Sequence, residues 1–197
     1  RYLHADDPHP PLLRVAAAHY QFEAIHPFLD GHGRVGRLLV VLLLVEWGLL
    51  PGPLLDLSAW IEPRRDDYYE VLLRVSSEGD WQSWLMFFLA MVVEQASDAA
   101  QRAHRLNALR DEMRAQVVWA RASALLPALV DELFRVPAIT IGRARQLLDV
   151  SHRAALLNLE KLTDVGILVE VPRAGRQRLF VAARILDAVE GRDGPGS

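Results

Sequence analysis

The residues with the clearest chemical potential lie between positions 26 and 37, where the sequence reads HPFLDGHGRVGR. Gly31 and Gly33 can adopt positive φ angles and let a ligand approach the main chain closely. A helix that begins near Arg34 would turn its free N–H groups and the positive end of its dipole toward this loop. Because Arg34 and Arg37 are three residues apart, both guanidinium groups can reach one face and hold a polyphosphate. The stretch therefore predicts an anion site.

Two further side chains in this stretch suggest a reaction at the bound anion. Asp30 places a hard carboxylate oxygen beside the arginines, which suits Mg²⁺ shared between one protein ligand and nucleotide phosphates. His26 stands at the end of the preceding helix, where it could take a proton from an attacking hydroxyl. Each residue alone would be an ordinary packing or surface residue, but the combination within one short segment predicts a nucleotide and Mg²⁺ site.

The elements that must position this loop are helices. Between Leu12 and Ile25, apolar residues recur at three- and four-residue steps, which predicts a helix that ends near His26. Two glycines and an aspartate interrupt the pattern before a strongly apolar helix over 35–50, which Pro51 stops. Further helices are predicted over residues 55–62, 65–76 and 81–93 and, from Val92 to about Val117, as one long connector, and no alternating strand pattern precedes residue 165.

Composition predicts a globular protein and excludes several kinds of site. Hydrophobic residues make up 51% of the 197 residues, enough for a substantial core. The absence of cysteine excludes disulfides, thiolate zinc sites and cysteine nucleophiles. The longest apolar run, Leu38 to Leu50, contains Glu46 and is too short to cross a bilayer, and the N-terminus lacks a signal-peptide pattern. We therefore expect a cytoplasmic protein with no membrane partner.

The segment at 26–37 resembles the Fic family motif, His-x-Phe-x-Asp/Glu-Gly-Asn-Gly-Arg-x-x-Arg. It matches every defined position except residue 32, where this sequence has His32 instead of Asn. Similarity to bacterial Fic proteins covers roughly residues 8 to 95 and includes the segments Pro11–Glu23, Val45–Leu49, Leu57–Ala59, Asp67–Tyr69 and Glu78–Trp81.

This resemblance implies an all-helical fold and the transfer of AMP from ATP to a Ser, Thr or Tyr hydroxyl of a target protein. It implies that His26 is the general base, that Asp30 binds Mg²⁺ and that Phe28 packs inward to hold the loop. The implied nucleotide-binding residues are Gly31, His32 and Gly33 in the loop, Arg34 and Arg37 at the β- and γ-phosphates, and Tyr68 and Ser76 at the adenosine.

His32 is the departure from the family pattern. An imidazole is bulkier than the amide of Asn and has one donor when neutral or two when charged. Three outcomes are open: His32 substitutes with a reduced rate, redirects which phosphorus is attacked, or marks a site that binds nucleotide but transfers poorly. We favour retained nucleotide chemistry, because the base, the metal ligand and both arginines are present.

Regulatory parts of the family are not recognised in the sequence. The hairpin flap that aligns the target segment should precede residue 1, and the inhibitory helix, Ser/Thr-x-x-x-Glu-Gly/Asn, is not found. The inhibitory segment lies on a missing N-terminal part, comes from an inhibitory partner, or does not exist. The long connector could also form the seam of a homodimer.

Charge and pattern divide the chain into modules. Residues 1–119 hold 11 Lys and Arg against 16 Asp and Glu, whereas residues 120–197 hold 11 against 9. The predicted fold class is mainly α, an all-helical Fic core followed by a connector helix and a small winged helix-turn-helix domain with a short β-hairpin. The expected bounds are 1–95 for an N-terminally incomplete core, 96–122 for the connector, 123–190 for the winged helix and 191–197 for a disordered tail.

The C-terminal module shows helix-turn-helix spacing. Thr140 and Ser151 are predicted to cap two successive helices, and strands over 167–171 and 178–181 form a hairpin. Two functions are open: DNA binding, or a packing and protein-recognition role. In DNA binding, the major groove would be read by His152, Arg153, Asn158 and Lys161, and phosphates would be met by Arg173, Arg176 and Arg178 on the wing.

Overall fold

Helices form nearly all of the elements near the N-terminus. The computed structural model describes residues 8–119, 124–172 and 178–191. One unit of the chain ends at Ala100 and a second begins at Gln101. The first helices are α1 (Pro11–Ile25), α2 (His32–Glu46), α3 (Leu57–Ile61), a 3-10 turn (Glu62–Arg64), α4 (Arg65–Glu78) and α5 (Trp81–Trp119).

Proline and left-handed residues set the ends of these helices. Pro11 is the first residue of α1, where its missing N–H has no helical partner to lose. His26 ends α1 in the left-handed region with a φ of 48°, and Gly31, with a φ of 70°, precedes α2. The second helix therefore begins at His32, two residues before the predicted start near Arg34, because the glycine turn is shorter than the polar stretch suggests.

The core of the first unit joins α1, α2 and the beginning of α5. Val15 and Ala16 on α1 are fully buried with Val40 on α2. Trp84 on α5 is also fully buried, and its indole N–H donates a 3.1 Å hydrogen bond to the carbonyl oxygen of Ala16. The buried ring and its hydrogen bond fix the position of α1 against α5. The position of His26, which caps the C-terminal end of α1, is therefore also fixed.

The second unit begins within α5, which runs unbroken through the two predicted helical patterns. Thr140 and Ser151 cap α7 and α8 as predicted, with Oγ1 and Oγ accepting from the N–H groups of Arg143 and Ala154 at 3.3 and 3.2 Å. The elements after α5 are α6 (Leu126–Leu133), β1 (Ala138–Thr140), α7 (Ile141–Leu148), α8 (His152–Asp164), β2 (Val169–Val171), β3 (Leu179–Val181) and α9 (Ala183–Glu190).

A three-stranded antiparallel sheet completes this unit, in the order β1-β3-β2. Ile139 pairs with Phe180, which pairs with Glu170 on the other side. No alternating pattern before residue 165 predicted the strand β1, because it has only three residues. The tip of the predicted wing, 173–177, and most of the predicted tail, 192–197, lie outside the described residues.

The predicted fold class is confirmed: the chain is mainly helical with a small antiparallel sheet. The second unit has its own apolar core, in which Leu129, Leu159 and Leu162 are fully buried. In the part of the chain that the structure describes, no helix combines the length and apolarity needed to cross a membrane.

Candidate active site

The turn between α1 and α2 is held by hydrogen bonds among its own residues. The N–H of His26 donates to the carbonyl oxygen of Phe22 at 3.1 Å, which closes α1. The N–H of Gly31 donates to Oδ1 of Asp30 at 2.6 Å, and the N–H of Val35 donates to the carbonyl oxygen of Gly31 at 3.1 Å. The first turn of α2 thus starts directly after Asp30, so an anion at this turn would lie beside that carboxylate.

Two adjoining cavities, of about 290 and 250 Å³, meet at the start of α2. We call them the inner and the outer cavity. Both are lined by His32, Gly33, Arg37, Tyr68 and Tyr69. The inner cavity is further lined by Tyr20, Glu23, Ala24, His26, Leu72, Leu73 and Ser76, and the outer cavity by Asp30, Gly31, Arg34, Ile61, Glu62 and Arg65.

Most of the predicted site residues therefore lie around one continuous space. His26 and Ser76 line the inner cavity, Asp30 and Arg34 line the outer one, and Arg37 lines both. A polar cavity with three arginines joined to a more apolar one matches a ligand with an anionic end and an aromatic end, such as a nucleotide.

Arg37 and Arg34 differ in how firmly they are held. Arg37 is half-buried, and its Nε donates a 2.8 Å hydrogen bond to Oγ of Ser58 on α3. Arg34 is exposed and lies over Gly31. Since a guanidinium that is already ordered loses less side-chain entropy on binding, Arg37 is the better preorganised of the two predicted anion ligands.

Tyr68 stands between the two cavities and is held from behind by His19. The Tyr68 hydroxyl and the Nε2 of His19 form a 2.9 Å hydrogen bond, and both side chains are buried. Burial lowers the pKa of His19 to about 4 and raises the pKa of Tyr68 well above its usual range. Both groups are therefore neutral at physiological pH, and their contact fixes the tyrosine ring as a rigid wall.

Ser76 lines the inner cavity opposite Tyr20. Its Oγ is 2.9 Å from the hydroxyl of Tyr20, and the Tyr20 ring packs edge-on against Trp81 with centroids 4.9 Å apart. Sequence reasoning did not single out Tyr20, because its place opposite Ser76 depends on how α1 packs on α4. The two hydroxyls offer donor and acceptor capacity to the edge of a planar base.

Phe28 does not pack inward as predicted. Its side chain is 46% exposed and lines neither cavity. Its one ring neighbour among the described residues is Phe22, with centroids 6.1 Å apart. The prediction was wrong because the left-handed turn at His26 carries the chain outward before Gly31 returns it to α2.

His32 is buried, and its ring is held on three sides. It stacks on Phe22 with centroids 4.7 Å apart and planes 3° apart, and its centroid lies 3.9 Å from that of His26. Its Nε2 is 3.2 Å from Oε2 of Glu23, within ion-pair distance, although neither ring nitrogen is aligned for a hydrogen bond. Both nitrogens are shielded from solvent, so the polar edge of His32 faces the interior.

Glu23 is a site residue that sequence reasoning missed. It lies on α1 one turn before His26 and lines the inner cavity. Burial raises the pKa of its carboxyl, while His32, Arg37 and His26 act in the opposite direction. In the sequence, Glu23 is a carboxylate between the apolar residues Phe22 and Ala24, which could have drawn attention to it. Only the folded structure shows that it contacts His32.

Asp30 is the one predicted metal ligand. Among residues 8–119, 124–172 and 178–191, no group of three His, Cys, Asp or Glu side chains could hold a metal ion. The exposed carboxylate of Asp30, beside the arginines of the outer cavity, suits a Mg²⁺ ion that takes most of its other ligands from phosphates and water. Asp30 thus fits the predicted metal as a ligand that depends on bound nucleotide.

The predicted DNA-contacting residues have different surroundings. His152 and Arg153 are exposed at the start of α8, and Lys161 is exposed near its end. Asn158 is only 7% exposed and donates from Nδ2 to the carbonyl oxygen of Ala154 at 2.8 Å, so its placement in a groove-facing set was wrong. Arg173 and Arg176 lie outside the described residues, and Arg178 pairs with Glu170 at 2.7 Å and Glu160 at 3.4 Å.

Comparison with known proteins identifies a family and several similar proteins. The Fic/DOC family matches residues 1–44. The protein adenylyltransferases Fic of Drosophila grimshawi and Drosophila yakuba are each 36% identical over 77 residues, which is 39% of this chain and 14% of theirs. A Fic family protein from Desulfovibrio desulfuricans G20 is a structural neighbour with a TM-score of 0.48 and 26% identity, covering 89% of this chain and 50% of that one. The chain thus spans a small part of the length of these curated relatives.

Proposed function

On the premise that this chain is a Fic domain protein, we propose that it transfers AMP from ATP to a Ser, Thr or Tyr hydroxyl of a target protein. One observation carries the proposal. His26 and Arg37 line the same cavity, and Asp30 and Arg34 line the adjoining one, at the start of a 15-residue helix. A base, an anion clamp and a metal ligand thus surround one space of nucleotide character.

The anionic end of the substrate binds in the outer cavity. Arg34 and Arg37 hold the β- and γ-phosphates, and Gly31 and Gly33 leave the backbone at the start of α2 open to the phosphate oxygens. The adenosine lies in the inner cavity between Tyr68 and Ser76. Asp30 would hold Mg²⁺, which when bound neutralises phosphate charge.

The transfer step is a displacement at the α-phosphorus. The hydroxyl of the target gives its proton to the imidazole of His26, and its oxygen forms a bond to the α-phosphorus. The bond between the α-phosphorus and the bridging oxygen breaks, and pyrophosphate leaves on the side of the arginines. The two guanidinium groups stabilise the negative charge that collects on the leaving group.

The test is transfer of label from ATP that carries a radioactive α-phosphate, with Mg²⁺ and a cell lysate as the source of targets. We expect labelled protein with wild type and at least about a hundredfold less with His26→Ala, since a general base contributes roughly 10²–10⁴-fold. His152→Ala, an exposed histidine of the second unit, is the matched control and should retain full labelling. Labelling that survives His26→Ala, or no labelling by wild type, would contradict the proposal.

A second candidate is a regulator in which the first unit senses nucleotide and the second binds DNA. It is supported by the capped α7–α8 pair followed by the β2–β3 hairpin. The pairing of Arg178 with two carboxylates counts against it, because a paired guanidinium must break its ion pairs before it meets a phosphate. Fluorescence anisotropy with a mixed-sequence duplex at 50 and 200 mM salt tests it: binding that weakens with salt and with Arg153→Ala would support this function.

A further inference from the structure

Residue 32 has a stacked environment that an asparagine could not use. The His32 ring lies between Phe22, whose plane is nearly parallel to it, and His26, whose ring is 3.9 Å away. An imidazole at position 32 can contact both aromatic rings, whereas the amide side chain of asparagine has no ring to stack on them. The ring that supports His26 is therefore His32, and behind it stands Phe22.

The edge of the same ring is anchored by Glu23. The Oε2 of Glu23 is 3.2 Å from Nε2 of His32, and its Oε1 is 4.0 Å from Nδ1 of His19. The carboxylate reaches this depth because position 36 is glycine: a Cβ there would lie 2.1 Å from Oε1 of Glu23. Close approach of α2 to α1 at Gly36 thus admits the carboxylate beside His32.

We propose that His32 is a positioning residue for His26, and that Glu23 acts through His32 in the same way. The effect of this positioning on catalysis rests on the proposed function. His32 holds the imidazole of the base by ring contact, and Glu23 holds His32 by its edge. Both ring nitrogens of His32 are buried, and Nε2 lies 3.2 Å from the carboxylate of Glu23, so we assign this residue a positioning role rather than that of a phosphate ligand.

Loss of a positioning residue and loss of a phosphate ligand change different kinetic parameters. Loss of a phosphate ligand weakens ATP binding, whereas a misplaced base lowers kcat and leaves ATP affinity intact. We expect Glu23→Ala and His32→Ala each to lower kcat for His26-dependent labelling by about tenfold or more, in the range seen when the partner of a functional histidine is removed. The KM and the Kd for MgATP should change less than twofold.

Coupling between the two residues provides a second criterion. The double variant should be no slower than the slower single variant, because both act through one ring. Glu23→Gln should recover most of the activity, since its amide oxygen can keep the polar contact with Nε2 of His32. If His32→Ala does not fold, His32→Asn takes its place in the same cycle. Effects that multiply, or a tenfold weaker MgATP Kd with unchanged kcat, would overturn the proposal.

A spectroscopic readout separates this inference from AMP transfer. The ring signals of His26 in ¹H–¹³C spectra, assigned with His26→Ala, should move in Glu23→Ala at constant pH. They should stay in place in Glu46→Ala, an exposed glutamate on α2. Unmoved His26 signals in Glu23→Ala contradict the inference, whether or not wild type transfers label. Moved signals with an inert wild type support the inference and contradict only the proposed function.

Discussion

At the scale of single residues, the buried contact between His19 and Tyr68 makes stability depend on pH. In the folded protein the pKa of His19 is lowered by burial to about 4, against 6.5 for an exposed histidine. Between these two pH values the unfolded chain binds a proton that the folded chain does not, so acid favours unfolding. The neutral histidine contributes its full stability above pH 6.5 and loses it as pH falls toward 4.

We expect acidification from pH 7 to 4.5 to remove up to about 3 kcal/mol of unfolding free energy through this residue. His19→Gln, which does not titrate, should lose this part of the pH dependence. Urea unfolding at a series of pH values measures it as the difference between the two proteins, so the opposite contribution of Glu23 cancels. His152→Gln, an exposed histidine, should keep the pH profile of wild type. A difference between wild type and His19→Gln that is constant with pH would contradict the argument.

Sequence predicted the residues that line the two cavities better than the residues that support them. Asp30, Arg34 and Arg37 belong to one continuous segment, so their proximity follows from a single turn. Glu23 and His19 act on that segment from α1, and their partners are fixed by tertiary packing that no spacing rule encodes. The outward position of Phe28 could not be predicted either, because it follows from the left-handed φ of His26.

At the scale of elements, the crossing of α1 and α2 depends on a residue that the sequence motif leaves undefined. Gly36 is buried, and a Cβ there would lie 2.1 Å from Oε1 of Glu23 and 3.2 Å from Cδ1 of Phe22. Gly36→Ala must move the carboxylate or separate the helices. Overpacking of this kind costs about 1–3 kcal/mol, which exceeds the helix propensity of up to about 1 kcal/mol that alanine adds.

We therefore expect Gly36→Ala to lower the melting temperature of the first unit and to slow His26-dependent labelling. Gly142→Ala is a matched control, because it is also a helical glycine but its added Cβ would meet nothing nearer than 3.9 Å. That change should leave stability unchanged or raise it by up to about 1 kcal/mol. Differential scanning calorimetry of both variants decides the question, and a Gly36→Ala protein as stable as wild type would refute the close approach.

Proline, glycine and capping residues indicate where most helices begin and end. The elements that sequence did not predict correctly are the short strand β1 and the unbroken helix α5. Helices α1 and α4 end within two residues of their predicted limits, and Thr140 and Ser151 cap the helices assigned to them. The strand β1 has only three residues, and its pairing with β3 is a contact between distant parts of the sequence. Local periodicity contains no information about such a pairing.

At the scale of the whole molecule, each of the two units has its own hydrophobic core, and we expect each core to stabilise its own unit. Among the described residues, the buried cluster of the first unit includes none beyond Ala99, and that of the second begins at Leu106. Each cluster is therefore composed of residues from its own unit. A cavity made in one core should reduce the stability of that unit without altering the ligand site of the other.

Leu159 on α8 is fully buried in the second core, and Leu157 on the same helix is 49% exposed. We expect Leu159→Ala to destabilise the second unit by about 2–5 kcal/mol, through lost transfer energy and a cavity, whereas Leu157→Ala should cost little. Calorimetry should show one shifted transition and one unchanged, and the Kd for MgATP should remain that of wild type. A single transition that shifts as a whole, or weaker MgATP binding in Leu159→Ala, would mean that the two units do not fold independently.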